Sequence, residues 1–143
     1  MAAITKIEAY VFTAEDDGGG TDSYVYLGLG GREFALDTSA DDFQRGAAQT
    51  FVLGDGGNVL NATTNDPRRP QLDTSDLHLF PVYLRIEPSG SEPDWCLERA
   101  TVTVNSGQSS LAAYDYLSLA GTEAHQKIWL GTSHGKLLHL KRI

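Results

Sequence analysis

Apolar and polar positions along the chain alternate in short stretches, and no stretch repeats every three to four residues as an amphipathic helix would. Residues 7–12 (IEAYVF) combine β-branched and aromatic side chains and predict a strand, which the run Asp16-Asp17-Gly18-Gly19-Gly20 then breaks. Residues 24–29 (YVYLGL) predict a second strand, stopped by Gly30-Gly31, and residues 32–36 read as its hairpin return. A strand at 50–53 runs into Gly54-Asp55-Gly56-Gly57. The clearest alternation covers residues 79–87, where Phe80, Val82, Leu84 and Ile86 interleave with Leu79, Tyr83, Arg85 and Glu87; Pro81 near its start points to an edge or a bulge. Further strands are expected at 96–104, 114–119, 128–130 and 137–140. Eight or nine short strands punctuated by Gly and Asp predict an all-β, antiparallel sandwich.

The length of 143 residues, 41% of them hydrophobic, is enough for one domain with a buried core and too little for two ordinary ones. That domain is expected to span 7–143, with a long irregular insertion at about 55–78 where Gly, Asn, Asp and Pro outnumber apolar side chains. No apolar run is long enough for a transmembrane helix. The start, MAAITKIEAYVF, lacks the basic region and apolar stretch of a secretory signal, and with the lone Cys96 this suits the cytoplasm. A peripheral-membrane or extracellular setting stays open.

A net charge of -8 argues against nucleic acid as a partner. The charge is unevenly spread: Glu15, Asp16, Asp17, Asp22, Glu33, Asp37, Asp41 and Asp42 face only Arg32, whereas the tail after Glu123 carries Lys127, Lys136, Lys141 and Arg142 and no acid. Three acid-bearing segments fall between expected strands: 15–22 (EDDGGGTD), 37–42 (DTSADD) and 87–94 (EPSGSEPD). Calcium takes about six to eight oxygen ligands from carboxylates, carbonyls and water. Alternate loops of a sandwich emerge at one pole, glycines let the backbone aim carbonyls inward, and a dication would relieve the repulsion of crowded acids. The competing reading is that these are solvated turn residues. None of the segments follows the EF-hand pattern.

Several stretches, in order, resemble the PLAT (lipoxygenase-homology) family. Gly20-Thr21-Asp22-Ser23-Tyr24-Val25-Tyr26-Leu27 is similar to its G-T-D-x-x-V-Y-x-x-L signature, preceded by a first-strand match at Tyr10-Val11-Phe12-Thr13. Asp42-Phe43-Gln44-Arg45-Gly46 resembles D-F-x-x-G, Pro93-Asp94-Trp95-Cys96-Leu97 resembles P-D-W-x-L, and Trp129-Leu130 resembles the closing W-L. The resemblance implies an eight-stranded β-sandwich that docks on membrane lipid headgroups or a membrane-associated protein, often with one to three calcium ions. Carried over by position, it assigns Asp37, Asp42 and the Ala40 carbonyl to one ion, and Asp22, Asp41, Asp42 and the Thr21 carbonyl to a neighbour. A third would use Asp94 and the Gly20 carbonyl. Here the sequence departs from the family, because an expected acid falls on Gly18, leaving Asp17 or Asp16 to reach in.

Other residues divide between packing and contact. Trp95 reads as a core wedge, and Phe43, though a packing residue first, is the better candidate for a membrane anchor. Arg68 and Arg69, flanked by prolines, read as a solvated loop that would otherwise meet phosphates or an acidic partner. His78, His125, His134 and His139 show no zinc-site spacing. No nucleophile elbow or enclosed carboxylate pair supports catalysis, so the expectation is a non-enzymatic module. The alternative function is a calcium-independent protein- or glycan-interaction module, in which any calcium is purely structural. Oligomeric state is not legible.

Overall fold

The computed structural model describes residues 1–119 and 126–143; His125 lies outside them. Nine strands follow the alternation: β1 (Lys6–Thr13), β2 (Tyr24–Leu29), β3 (Arg32–Ala35), β4 (Ala48–Gly54), β5 (Val82–Glu87), β6 (Trp95–Val104), β7 (Ala112–Asp115), β8 (Ile128–Leu130) and β9 (Leu137–Arg142). In β1 every second residue, Ile7, Ala9, Val11 and Thr13, is buried, and in β5 Val82, Leu84 and Ile86 are. A strand turns successive side chains to opposite faces, so this period writes one inner and one outer face directly.

All strand pairings are antiparallel and form the path β3-β2-β5-β9-β7-β6-β1-β4, with β8 paired beside it to the start of β6. The path curls into two layers through β9. Its first residues pair with β5 (Val82↔Leu140, Arg85↔Leu137), and Lys141 and Arg142 pair with β7. Between the layers lie Phe34, Phe51, Trp95, Leu27, Leu84 and Ile86, all fully buried. This is the all-β antiparallel sandwich that the alternation predicts, in the PLAT-like arrangement that the resemblance implies.

Two expected strands end elsewhere. Leu79, Phe80 and Pro81 stand outside β5; Leu79 closes a 3-10 helix, Thr74–His78, that Asp73 and Asp76 cap reciprocally. The expected strand at 114–119 stops at Asp115, whose Oδ1 accepts the Tyr116 N–H at 2.8 Å and turns the chain into a short 3-10 helix, Leu117–Leu119.

Residues 55–78 are an ordered brace. β3 and β4 end the strand path, so each presents an unpaired edge. Asn58 Oδ1 accepts the Val52 N–H of β4 (2.8 Å), and Asn65 Oδ1 accepts the Ala35 N–H of β3 (2.9 Å). The segment thus covers both edges, sending Leu72 and Leu77 into the core. Ile4, ahead of the expected start at 7, is also fully buried and donates its N–H to the Leu72 carbonyl (2.9 Å).

Antiparallel order sorts the loops into two poles. One holds residues 14–23, 36–47 and 88–94; the other holds the Gly30-Gly31 turn, 79–81 and 105–111. The six residues of β5 separate the poles by about 20 Å.

Candidate metal centre

The first two acid segments meet. Thr21, Asp22, Asp37, Ala40, Asp41 and Asp42 line one open cleft of about 420 Å³, walled further by Tyr24, Tyr26 and Asn61. The third segment reaches the same pole through its backbone. The Glu92 carbonyl accepts from Thr21 Oγ1 (2.8 Å) and the Asp22 N–H (2.9 Å), and the Pro93 carbonyl accepts from Ser23 Oγ (2.8 Å). Thr21 in turn donates its N–H to the Phe43 carbonyl (3.1 Å), fixing the first segment to the second.

Within the cleft Asp42 is the organising carboxylate. Its Oδ2 accepts the Thr38 N–H (2.6 Å), while Oδ1 accepts Thr38 Oγ1 (2.6 Å) and Gln49 Nε2 (2.8 Å). The Asp37 carboxyl lies in hydrogen-bonding reach of Asp42. Partial burial, followed by that contact and the Asp42 charge, raises the pKa of Asp37 above the usual carboxylate range, against a smaller lowering by the Thr38 N–H. The donor set is all oxygen, as a hard dication requires. Among the described residues no three His, Cys, Asp or Glu side chains are gathered closely enough to hold a metal. What the cleft presents is one close carboxylate pair, with Asp22 and Asp41 exposed along its walls.

Other expected ligands point elsewhere. Asp94 does not line the cleft; its Oδ1 accepts the Thr132 N–H (2.8 Å) and packs against Gly131, anchoring the turn between β8 and β9. Asp17 pairs with Arg45 Nη1 (2.7 Å) and Asp16 with Lys127 Nζ (2.7 Å). Gly20 is wedged against the Phe43 carbonyl and the Arg45 N–H, where a Cβ would not fit.

The contact residues also need correction. Phe43, 4% exposed, stacks on Phe51 and meets Trp95 edge-on, each at 5.2 Å between ring centroids. Trp95 is 0% exposed and donates Nε1–H to Thr13 Oγ1 at 2.9 Å. Both rings fill the core under the cleft, so neither meets a membrane. Arg68 forks onto Asp66, Nε to Oδ1 and Nη2 to Oδ2 at 3.0 Å each, with Arg69 at 3.9 Å from the same carboxylate.

Sequence reasoning missed Thr38, Gln49 and Asn61. The Thr directly after Asp37 signals a turn that bonds its own backbone. Gln49 comes from β4, and Asn61, in the left-handed region at φ 52°, comes from the insertion; only the folded chain brings them to the cleft.

The curled antiparallel sandwich is a PLAT-like fold. Solved structures share the fold. The chain is similar to alpha toxin from Clostridium absonum (20% identity, TM-score 0.62), covering 98% of this chain and 32% of that one. It is similar to Clostridium perfringens alpha-toxin from an avian strain (18%, TM-score 0.59; 97% and 32%). It is similar also to coral 8R-lipoxygenase (17%, TM-score 0.56; 96% and 17%), a structure described as showing calcium activation via a C2-like domain. The chain therefore spans a third or less of those proteins. No protein-family model and no curated protein matches the sequence.

Proposed function

We propose that this domain is a non-catalytic module that attaches to membrane lipid surfaces with the help of calcium, held at the 37–42 loop. The observation that carries the reading is the juxtaposition of Asp37 and Asp42, with Asp22 and Asp41 on the walls of the same cleft. Asp37 and Asp42 would be first to bind, supported by Asp22, Asp41 and the carbonyls of Thr21 and Ala40. Calcium, when bound, supplies positive charge and open coordination positions for headgroup oxygens. The protein's own part is to hold the acids close together, so that the cost of their repulsion is recovered on neutralisation. Without that neutralisation an acidic pole is repelled by an anionic leaflet. Similarity to a lipoxygenase described as calcium-activated through its C2-like domain supports the reading.

Of the alternative, a calcium-independent protein- or glycan-interaction module, the glycan form needs coplanar exposed rings on one sheet face. On the outer face of β2 and β5, Arg85 sits 4.5 Å above the Tyr26 ring, and Tyr83 donates its hydroxyl to Glu33 (2.8 Å), leaving Tyr24 as the well-exposed tyrosine there. No second reading is favoured.

Titration calorimetry with calcium, paired with vesicle co-sedimentation in calcium and in EDTA, tests the proposal. Millimolar or tighter calcium binding and calcium-dependent sedimentation are expected. No heat and no calcium-dependent sedimentation would refute it.

A further inference from the structure

The outer face of β3, β2, β5 and β9 carries an arrangement that neither the core nor the metal centre uses. Antiparallel register sets Glu33, Gly28, Tyr83 and His139 side by side in one row across the four strands, and Ala35, Tyr26, Arg85 and Leu137 in the next. Gly28 points outward by the strand period and is nonetheless buried, because the Tyr83 ring covers it. A Cβ on Gly28 would stand 2.1, 2.2 and 2.4 Å from Cζ, Cε1 and Cε2 of that ring. Near-equal distances to three ring atoms put the Cβ position close to the axis through the ring centre. The ring therefore lies flat over the glycine, parallel to the sheet, in a place that only a residue without a Cβ leaves free.

One face of Tyr83 packs on the sheet and the opposite face is turned outward, in keeping with its half-buried state. A tyrosine laid over a cross-strand glycine is ordinary sheet packing. What goes further is how its edges are fixed. The hydroxyl donates to Glu33 Oε2 (2.8 Å), and Arg85 forks onto the same carboxylate, Nε to Oε2 and Nη2 to Oε1 at 2.8 Å each. The Arg85 fork is the chief cause that holds the Glu33 carboxyl below its usual range, so it stays an ionised acceptor with lone pairs to spare. On the other flank His139 stands edge-on to the Tyr83 ring, at 86° and 6.1 Å between centroids. The result is a flat aromatic floor, an upright imidazole wall, and a rim of one carboxylate and one guanidinium whose charges cancel.

A floor of this kind suits a ligand that is apolar on its face and polar around its edge. A β-glucopyranose has its hydroxyls equatorial, so both faces of the ring present C–H groups, and these pack on the negative face of an aromatic ring. Its hydroxyls then meet acceptors on Glu33 and the N–H groups that Arg85 keeps beyond the two given to Glu33. The neutral rim favours an uncharged sugar over an anionic one. The row of coplanar rings that a glycan platform needs is not formed, because Arg85 caps Tyr26 at 4.5 Å, so the face offers one subsite.

We propose that Tyr83, with Glu33, Arg85 and His139 around it, is a calcium-independent subsite for one neutral hexopyranose of the β-glucose type. The test is saturation-transfer NMR in EDTA with methyl β-D-glucopyranoside, against methyl α-D-mannopyranoside, whose axial oxygens interrupt both faces of the ring. A millimolar dissociation constant is expected for the glucoside, and one weaker by about fivefold or more for the mannoside. Tyr83→Ala should weaken glucoside binding about tenfold or more, and Glu33→Ala, at an exposed position, about fivefold or more. Tyr24→Ala, on the same face and outside the subsite, should change it less than about twofold. Thermal melts monitor folding, and if Tyr83→Ala is unfolded the Glu33 substitution alone decides. No transfer from the wild type, equal affinity for the two sugars, or binding indifferent to the variants overturns the proposal. Because calcium is absent throughout, failure here leaves the metal centre untouched, and the converse holds.

Discussion

Replacing Asp37 with Asn should move stability in opposite directions with and without calcium. In the calcium-free protein the Asp37 carboxyl abuts Asp42 and its pKa lies above the usual value, so ionising it opposes folding. A carboxyl whose folded pKa is raised binds its proton more tightly in the native state. Its favourable contribution is present at low pH and is lost as pH rises from the unfolded value, about 3.9, through the folded one. The side chain is exposed, so solvent screens much of this, and an exposed pair is worth about 0.2–1 kcal/mol. With about 2.1 cal/mol/K of unfolding entropy per residue, a chain of 143 residues gains about 3 °C in Tm per kcal/mol. Calcium-free Asp37→Asn should thus melt about 1–3 °C higher than wild type at pH 7, with the difference vanishing toward pH 3. Calcium reverses the order. A site with a dissociation constant of about 10⁻⁴–10⁻³ M, in about 10 mM calcium, stabilises by about 1.4–2.7 kcal/mol, or about 5–9 °C. The variant, having lost half of its close carboxylate pair, should show little of that gain. Differential scanning fluorimetry across pH, with EDTA or calcium, reads both effects. A variant no more stable than wild type in EDTA, or one keeping the full calcium shift, would refute the reasoning.

Three more outcomes are expected. Asp94→Ala, which removes the acceptor of the Thr132 N–H, should leave the calcium-induced shift in Tm unchanged, while loosening the 131–134 turn at a cost of about 1 kcal/mol in a denaturant melt. Cys96, fully buried, has its thiol pKa pushed up to about 11, first by burial and then by the Asp16 charge, so a disulfide reagent should label it only as fast as the protein unfolds. Asp66 has its pKa lowered, chiefly by its bonds to Arg68, so its contribution is present above the unfolded carboxylate range and fades as pH falls below it. Asp66→Ala should therefore cost about 1–3 kcal/mol at pH 7 and much less near pH 3, read by urea melts.

The strands were legible because an antiparallel strand with one buried face repeats every two residues, and Ile7–Ala9–Val11 and Val82–Leu84–Ile86 keep that period. Where period and position disagree, position wins. Leu79 and Phe80 extend the alternation of β5, yet the Asp73–Asp76 capping box and Pro81 commit them to a helix end and a loop. The convergence of 15–22 with 37–42 was also legible, since loops of alternate hairpins share a pole. Which acids face inward was not. Asp94 and Asp17 stand in segments that reach the right pole, but Thr132 and Arg45 are better partners for them than the cleft. Those partners lie 38 and 28 residues away, and nothing local announces them.

Phe43 shows how a loop aromatic beside acids serves them by packing, the first of the two roles its position suggested. Its backbone sits in the left-handed region at φ 59°, a conformation that bulky side chains avoid and that something must hold in place. The ring is locked between Phe51 and Trp95, the N–H donates to Gln49 Oε1 (2.7 Å), and the carbonyl accepts from Thr21. The other end of the same Gln49 side chain donates to Asp42. One glutamine therefore ties the buried aromatic and the cleft carboxylate together, and the kinked backbone turns Phe43 inward just after Asp42 faces the cleft. The aromatic serves the acid from beneath by fixing where it stands. An anchor inserted into a bilayer could not do so, because drawing Phe43 out would release the turn that sets Asp42 beside Asp37. In the proposed membrane attachment, contact at this pole would come from the ion and the polar rim and not from this ring.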